Sequence, residues 1–172
     1  LLITFFLTVI FDLTVAIEVG LVIACVLFMK RVMETTEISV ITDEIDPNKE
    51  SDITVHEENL MIPKGIEVYE INGPYFFGIA TKFEETMTQL GDRPKVRIIR
   101  MRKVPFIDST GIHNLTALCE MSQKEKTTII LSGVNENVHN VLEKAGFYEL
   151  LGKENICPNI NVALERAKSL VE

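Results

Sequence analysis

A chain of 172 residues is long enough for one domain with an appendage, not for two full domains. Apolar residues make up 47% of it and mean hydropathy is +0.20, which excludes disorder throughout, and three cysteines cannot all pair, which excludes a disulfide-stapled scaffold. A net charge of −8 and a pI near 5.0 argue against a general nucleic-acid binder. The chain opens at Leu1 rather than Met, so it is expected to be a piece of a longer protein.

From Leu1 to Met29 only Asp12 and Glu18 are charged. One helix of that length would span about 43 Å, more than the ~30 Å hydrocarbon core of a bilayer. Phe11-Asp12-Leu13-Thr14 is a natural break, with Asp12 placed to cap a second helix. Residues 14–29 then read as a near-spanning helix of about 24 Å, and residues 1–11 as the tail of an earlier membrane helix. Gly20 and Ala24 form a small-xxx-small pair that admits a neighbouring helix. Lys30 and Arg31 close the segment, which places its C-terminal end on the cytoplasmic side. A charged group at membrane depth is costly. Asp12 and Glu18 therefore fit either a polar site in a helical bundle or a helix cap and an interfacial glutamate. The expected first region is 1–33, the end of a transmembrane region.

Residues 34–59 carry nine acids against Lys49 alone, so the whole net charge resides there. This stretch reads as a solvated acidic linker, with Val40, Ile41 and Ile45 as apolar exceptions that allow a short docked segment.

Residues 60–172 read as one compact α/β unit. Ile66 to Ile71 alternate as a strand, Asn72-Gly73 is a hairpin turn signal, and Tyr75-Phe76-Phe77 is the expected return strand. Ile79, Phe83, Met87 and Leu90 follow helical spacing, and Gly91-Asp92-Arg93-Pro94 ends that helix. Val96 to Met101 and Thr127 to Leu131 are strands. Ser109-Thr110-Gly111 opens a helix with Ile112, Leu115 and Cys119 inward. Asn135 caps another that buries Val138, Val141, Leu142 and Ala145, closed by Gly146. Residues 160–171 form the last helix. The expected fold is a mixed sheet opening with a β-hairpin and covered by about four helices.

The informative stretch is Val104-Pro105-Phe106-Ile107-Asp108-Ser109-Thr110-Gly111-Ile112. A strand runs through Asp-Ser-Thr-Gly into a helix. The side chains of Asp108, Ser109 and Thr110 can accept from the unpaired amides of the first turn, and Gly111 permits a close backbone approach. A hydroxyl there lies at the positive end of a helix, which suits a phosphate or a phosphorylated side chain. A plain helix cap fits the same residues. Scattered histidines and cysteines give no metal spacing, and no nucleophile–base pair points to an enzyme. No metal and no cofactor are expected. Arg93, Lys95, Arg97, Arg100, Arg102 and Lys103 form a basic run with no acid among them. Of these, Arg97, Arg100, Arg102 and Lys103 fit either an electropositive rim that meets an anion, a lipid headgroup or the acidic linker, or a set of solvated strand ends.

The strand–Asp-Ser-Thr-Gly–helix element resembles the STAS domain, shared by sulfate transporters and anti-sigma-factor antagonists. The stretches Thr4 to Val9, Phe11 to Gly20 and Leu27 to Arg31 resemble the last membrane segments of the sulfate permease (SulP) family, and Cys157-Pro158-Asn159-Ile160 is similar to that family's C-terminal pattern. The resemblance implies a STAS fold over 60–172 in the C-terminal part of a secondary inorganic anion transporter. It also implies an anion site in an upstream membrane domain, a cytoplasmic STAS domain with a regulatory or assembly role, a plasma or inner membrane location and a homodimer in contact with membrane lipid. Weak nucleotide binding is a further implication; nucleic acid is not a partner. In the antagonist branch the hydroxyl residue before the Gly is phosphorylated, a position held here by Thr110. The competing expectation is therefore a soluble phospho-switch that binds a protein through Asp108 to Gly111. Cys25, Cys119 and Cys157 offer no short-range pair that suggests a disulfide, which agrees with a reducing compartment.

Overall fold

The computed structural model describes residues 2–10, 12–35, 37–41, 44–45, 60–75 and 94–171. The chain divides into two compact units, Leu1–Thr35 and Thr36–Glu172.

In the first unit, α1 (Leu2–Ile10) and α2 (Leu13–Thr35) are separated at Asp12. Asp12 acts as a cap: its Oδ1 accepts from the Leu13 amide at 2.6 Å and its carbonyl from the Ala16 amide at 3.1 Å. Ala16 is buried, whereas most of the apolar side chains along α2 are exposed within this chain. The stretch Leu13–Arg31 has a mean hydropathy of 2.2 and is long and apolar enough to cross a membrane. α2 runs on past the expected end, through Lys30 and Arg31 to Thr35. Nothing in Lys-Arg-Val-Met-Glu-Thr breaks a helix, so the polar turn simply continues it. Glu18 is exposed on α2.

The second unit is built on a five-stranded sheet in the order β1-β4-β5-β6-β7. These are β1 (Glu37–Ile41), β4 (Ile66–Asn72), β5 (Val96–Arg100), β6 (Thr128–Ser132) and β7 (Ile156–Cys157). β4 to β7 are mutually parallel and β1 is antiparallel to β4. A two-stranded ribbon pairs β2 (Glu44–Ile45) with β3 (Leu60–Met61). The helices are α3 (Ser109–Lys124), α4 (Glu136–Lys144), α5 (Phe147–Leu151) and α6 (Ile160–Val171), with a 3-10 turn at Lys153–Asn155.

Strand alternation sorts side chains onto two faces. Tyr69, Ile71, Ile99, Ile129 and Leu131 pack with Leu115 and Leu118 of α3, with Val138 and Leu142 of α4, and with Phe147 of α5. Val68, Ile98 and Ile130 pack on the other face with Ile160, Ala163, Leu164 and Ala167 of α6. Asn135 caps α4 as expected, its Oδ1 accepting from the Val138 amide at 3.0 Å, and Gly146 follows the helix at φ +70°. Ala145 closes α4 and is exposed rather than buried.

The mixed sheet stands, but its antiparallel pair is made differently from the expected hairpin. β1 comes from the acidic stretch and pairs with β4 from Glu37 opposite Asn72 to Ile41 opposite Val68. β5 occupies the other edge of β4, so no edge is left for a return strand. Instead Gly73 adopts φ +115° and the chain runs on, its Tyr75 forming a parallel bridge with Ile107. The physical reason lies in Glu-Ile-Ser-Val-Ile: Ile38 and Val40 reach one core and Ile41 the other, so docking β1 buries more apolar surface than solvating it. Phe76-Phe77 and the helix expected from Ile79 to Leu90 lie outside the described residues.

Candidate functional site

The loop from Met101 to Asp108 leaves β5 at the C-terminal ends of the parallel strands, where open α/β sheets place their binding crevices. It is tied down on both sides. The Met101 amide donates to Ser132 O at 2.8 Å, Gly73 N to Lys103 O at 3.3 Å and Tyr75 N to Phe106 O at 3.1 Å. The Asn135 side-chain amide donates to Val104 O, so the cap of α4 also clamps this loop. Met101, Val104 and Ile107 are buried anchors, and Phe106 is 52% exposed between them.

Asp108 has an extended backbone and caps α3, its Oδ1 accepting from the Gly111 amide at 2.7 Å and its carbonyl from Ile112 at 2.9 Å. Ser109 and Thr110 are exposed in the first turn. Gly111 is buried, and a Cβ there would collide with the Tyr75 carbonyl oxygen and lie 2.8 Å from Ile107 Cγ1. The close approach expected at this glycine is to the chain's own Tyr75. Asp108 already supplies the negative charge that a helix N-terminus favours and fills one of its donors. The loop therefore presents two hydroxyls on a rigid support rather than an open anion cradle.

The four cations of the basic run do not form one rim. Arg97 is 4% exposed and Arg100 6%. Arg97 faces Glu67 (3.6 Å) and Glu125 (3.5 Å) and donates to Ser122 Oγ at 3.3 Å. Arg100 pairs with Glu70 at 3.3 Å, and Lys103 reaches the other oxygen of Glu70 at 3.6 Å. Arg102 and Lys103 are exposed. The parallel register of β4 and β5 sets Glu67 opposite Arg97 and Glu70 opposite Arg100, which is the cross-strand pairing that stabilises sheets. Sequence reasoning misses Glu67 and Glu70, although a signal exists: two acids and two arginines at the same spacing on adjacent strands. Tyr69 joins the first pair, its hydroxyl donating to Glu67 at 2.7 Å; burial first, then this bond, raises its pKa well above the usual tyrosine value. Asp12 and Glu18 belong to the first unit, and Asp12 serves there as a cap.

The family described as STAS domain matches residues 59–163. A crystal structure of a sulfate transporter family protein from Wolinella succinogenes is 44% identical, covering 65% of this chain and 92% of that one, with a TM-score of 0.62. The STAS domain of a SulP transporter from Vibrio cholerae is 34% identical over 64% of this chain and 87% of that one, with a TM-score of 0.59. Among curated proteins, YvdB of Bacillus subtilis, named as a sulfate transporter, is 28% identical over 88% of this chain. The chain spans only 27% of YvdB, about a quarter of its length. Two likenesses extend to the fold alone. A murine anion transporter of the Solute Carrier 26 family matches 98% of this chain at 19% identity and a TM-score of 0.68. An anti-sigma factor antagonist, SpoIIAA, matches 66% of it at 16% identity and a TM-score of 0.52. The antagonists are thus more distant than the transporter domains, and the chain belongs to the STAS domain family, in its sulfate transporter (SulP) branch.

Proposed function

We propose that this chain works as the C-terminal part of a secondary inorganic anion transporter of the sulfate type, with its STAS domain on the cytoplasmic side in a regulatory or assembly role. The observation that carries the reading is the joining of α2 to the sheet. The apolar stretch of α2, of membrane-spanning length, closes at Lys30-Arg31; the helix runs on to Thr35, and in sequence Thr36 alone separates it from β1, the edge strand of the STAS sheet. The basic end of α2 supports a cytoplasmic location for the STAS unit. The anion site belongs to an upstream membrane domain, and the transporter works as a homodimer in the plasma or inner membrane. The shortness of this chain beside YvdB supports an upstream part.

The test is labelled-sulfate uptake by cells expressing the transporter that contains this chain, with and without residues 37–171. Uptake that survives in the parent and falls on the deletion at equal membrane abundance is the expected result. Equal uptake by cells lacking the transporter would overturn the reading. A second reading, a phospho-switch, rests on the exposure of Ser109 and Thr110. It requires a mass increase of about 80 Da on one of them in protein from the native source.

A further inference from the structure

A cleft lies at the opposite end of the sheet from the Asp108 loop. β7 pairs only with Leu131 and Ser132 of β6. β5 pairs along one side of β6, but on the β7 side its first half has no strand among the described residues, and Leu151 of α5 and Asn155 of the 3-10 turn line the space there. The result is a cleft of ≈ 290 Å³, at the lower bound of the roughly 300–1,000 Å³ usual for small-molecule sites. Its floor is apolar: Cys119, Ile129 and Leu151. Gln123, Lys126, Thr127, Thr128 and Asn155 complete the lining, with no carboxylate in it among the described residues.

This polar part of the lining is rich in donors. Lys126 offers only donors, and Gln123 and Thr128 can donate as well. Among the described residues no side-chain hydrogen bond or ion pair engages these three. Asn155 is held in place, its Nδ2 donating to Leu151 O at 2.8 Å and its Oδ1 accepting from Arg166 Nε at 3.3 Å. Thr127 also lines the cleft, but its buried hydroxyl is committed to Pro94 O at 2.8 Å.

Lys126 stands out independently. It is the one non-glycine with positive φ (62°) among the described residues. It occupies the C′ position of a Schellman motif closing α3, with Lys126 N donating to Gln123 O at 3.0 Å and Thr127 N to Ser122 O at 2.8 Å. Glycine is the usual occupant of that position because the left-handed conformation strains other residues. A lysine held there at a cost, over a donor-rich cleft with an apolar floor, is the pattern expected where strain serves a ligand. We propose that this cleft binds a small organic anion, a carboxylate or phosphate monoester with a compact apolar group. The anion meets Lys126 and Thr128, and the apolar group lies on Ile129 and Leu151.

The test uses the full chain in detergent micelles, titrated with phenyl phosphate and, separately, inorganic phosphate, and followed by amide NMR shifts. The expected result is saturable shifts at Gln123, Lys126, Thr128 and Asn155 with phenyl phosphate, at least tenfold tighter than with inorganic phosphate. Lys126→Gly, Lys126→Asn and Thr128→Val should each weaken phenyl phosphate at least tenfold, and Lys126→Gly should do so while raising the melting temperature. Absence of shifts at millimolar phenyl phosphate would overturn the proposal. So would equal binding of the two probes, or variants that bind like the parent.

Discussion

Gly111 leaves no room for a methyl group, because the Tyr75 carbonyl and Ile107 close over it. Gly111→Ala is expected to cost about 1–3 kcal/mol by overpacking, read as a lower urea midpoint with an unchanged slope. Thr110→Ala, one position away and exposed, should leave that midpoint nearly unmoved. The buried arginines act on stability rather than on recognition. Arg100→Ala would leave Glu70, itself 8% exposed, with the exposed Lys103 in place of its buried partner, and is expected to cost about 3 kcal/mol. The double change Arg100→Met with Glu70→Leu should recover much of that loss; a double variant as unstable as the single would contradict the pairing. Burial pushes the Cys119 thiol from 9.0 up to about 12, with a smaller push from Glu120. The folded state thus holds this proton more tightly than the unfolded state. Its contribution is fully present below pH 9 and is lost as pH rises toward 12. Buried Tyr69 and Tyr75, also raised, act in the same direction. Stability should therefore fall above about pH 9, and Cys119→Ala should flatten that fall in a series of urea melts.

Caps and edges decide how the elements join. Asn135 both caps α4 and donates to Val104 O in the loop before α3. Asn135→Ala should then cost at least the ~1 kcal/mol of a lost cap, and hydrogen exchange should quicken in both α4 and residues 101–107. Quickening in α4 alone would show that the clamp on the loop is idle. Lys126→Gly removes a strained left-handed residue from the end of α3 and should stabilise by about 1 kcal/mol. Most elements of the second unit are legible in the sequence because their signals are local: the Asp108 and Asn135 caps, the stop at Gly146, the apolar runs of β5 and β6. The true partner of β4 is not, since Asn72-Gly73 speaks for a hairpin only while β4 has a free edge. That edge is taken by Glu37–Ile41, a segment whose apolar residues are interleaved with the acids of a highly charged stretch. The basic run misleads for a similar reason. Spacing along β5 shows where arginines fall, but only the register with β4 shows that Glu67 and Glu70 lie opposite Arg97 and Arg100.

At the scale of the whole molecule, two kinds of solvent are written into one chain. α2 exposes leucine, valine, isoleucine and phenylalanine along its length, a surface suited to lipid. The STAS unit buries its apolar residues in two cores on the two faces of a sheet, which suits water. In the function proposed above, α2 crosses the membrane with the STAS domain on the cytoplasmic side. The most direct measurement labels a Ser109→Cys variant with a membrane-impermeant maleimide, in right-side-out and inside-out vesicles from cells expressing the protein. Ser109 is exposed, whereas Cys119 and Cys157 are buried. Labelling above the parent's background is expected in inside-out vesicles only, on a chain that stays with the membrane through an alkaline carbonate wash. Labelling from the outside, or release of the chain by the wash, would contradict that reading.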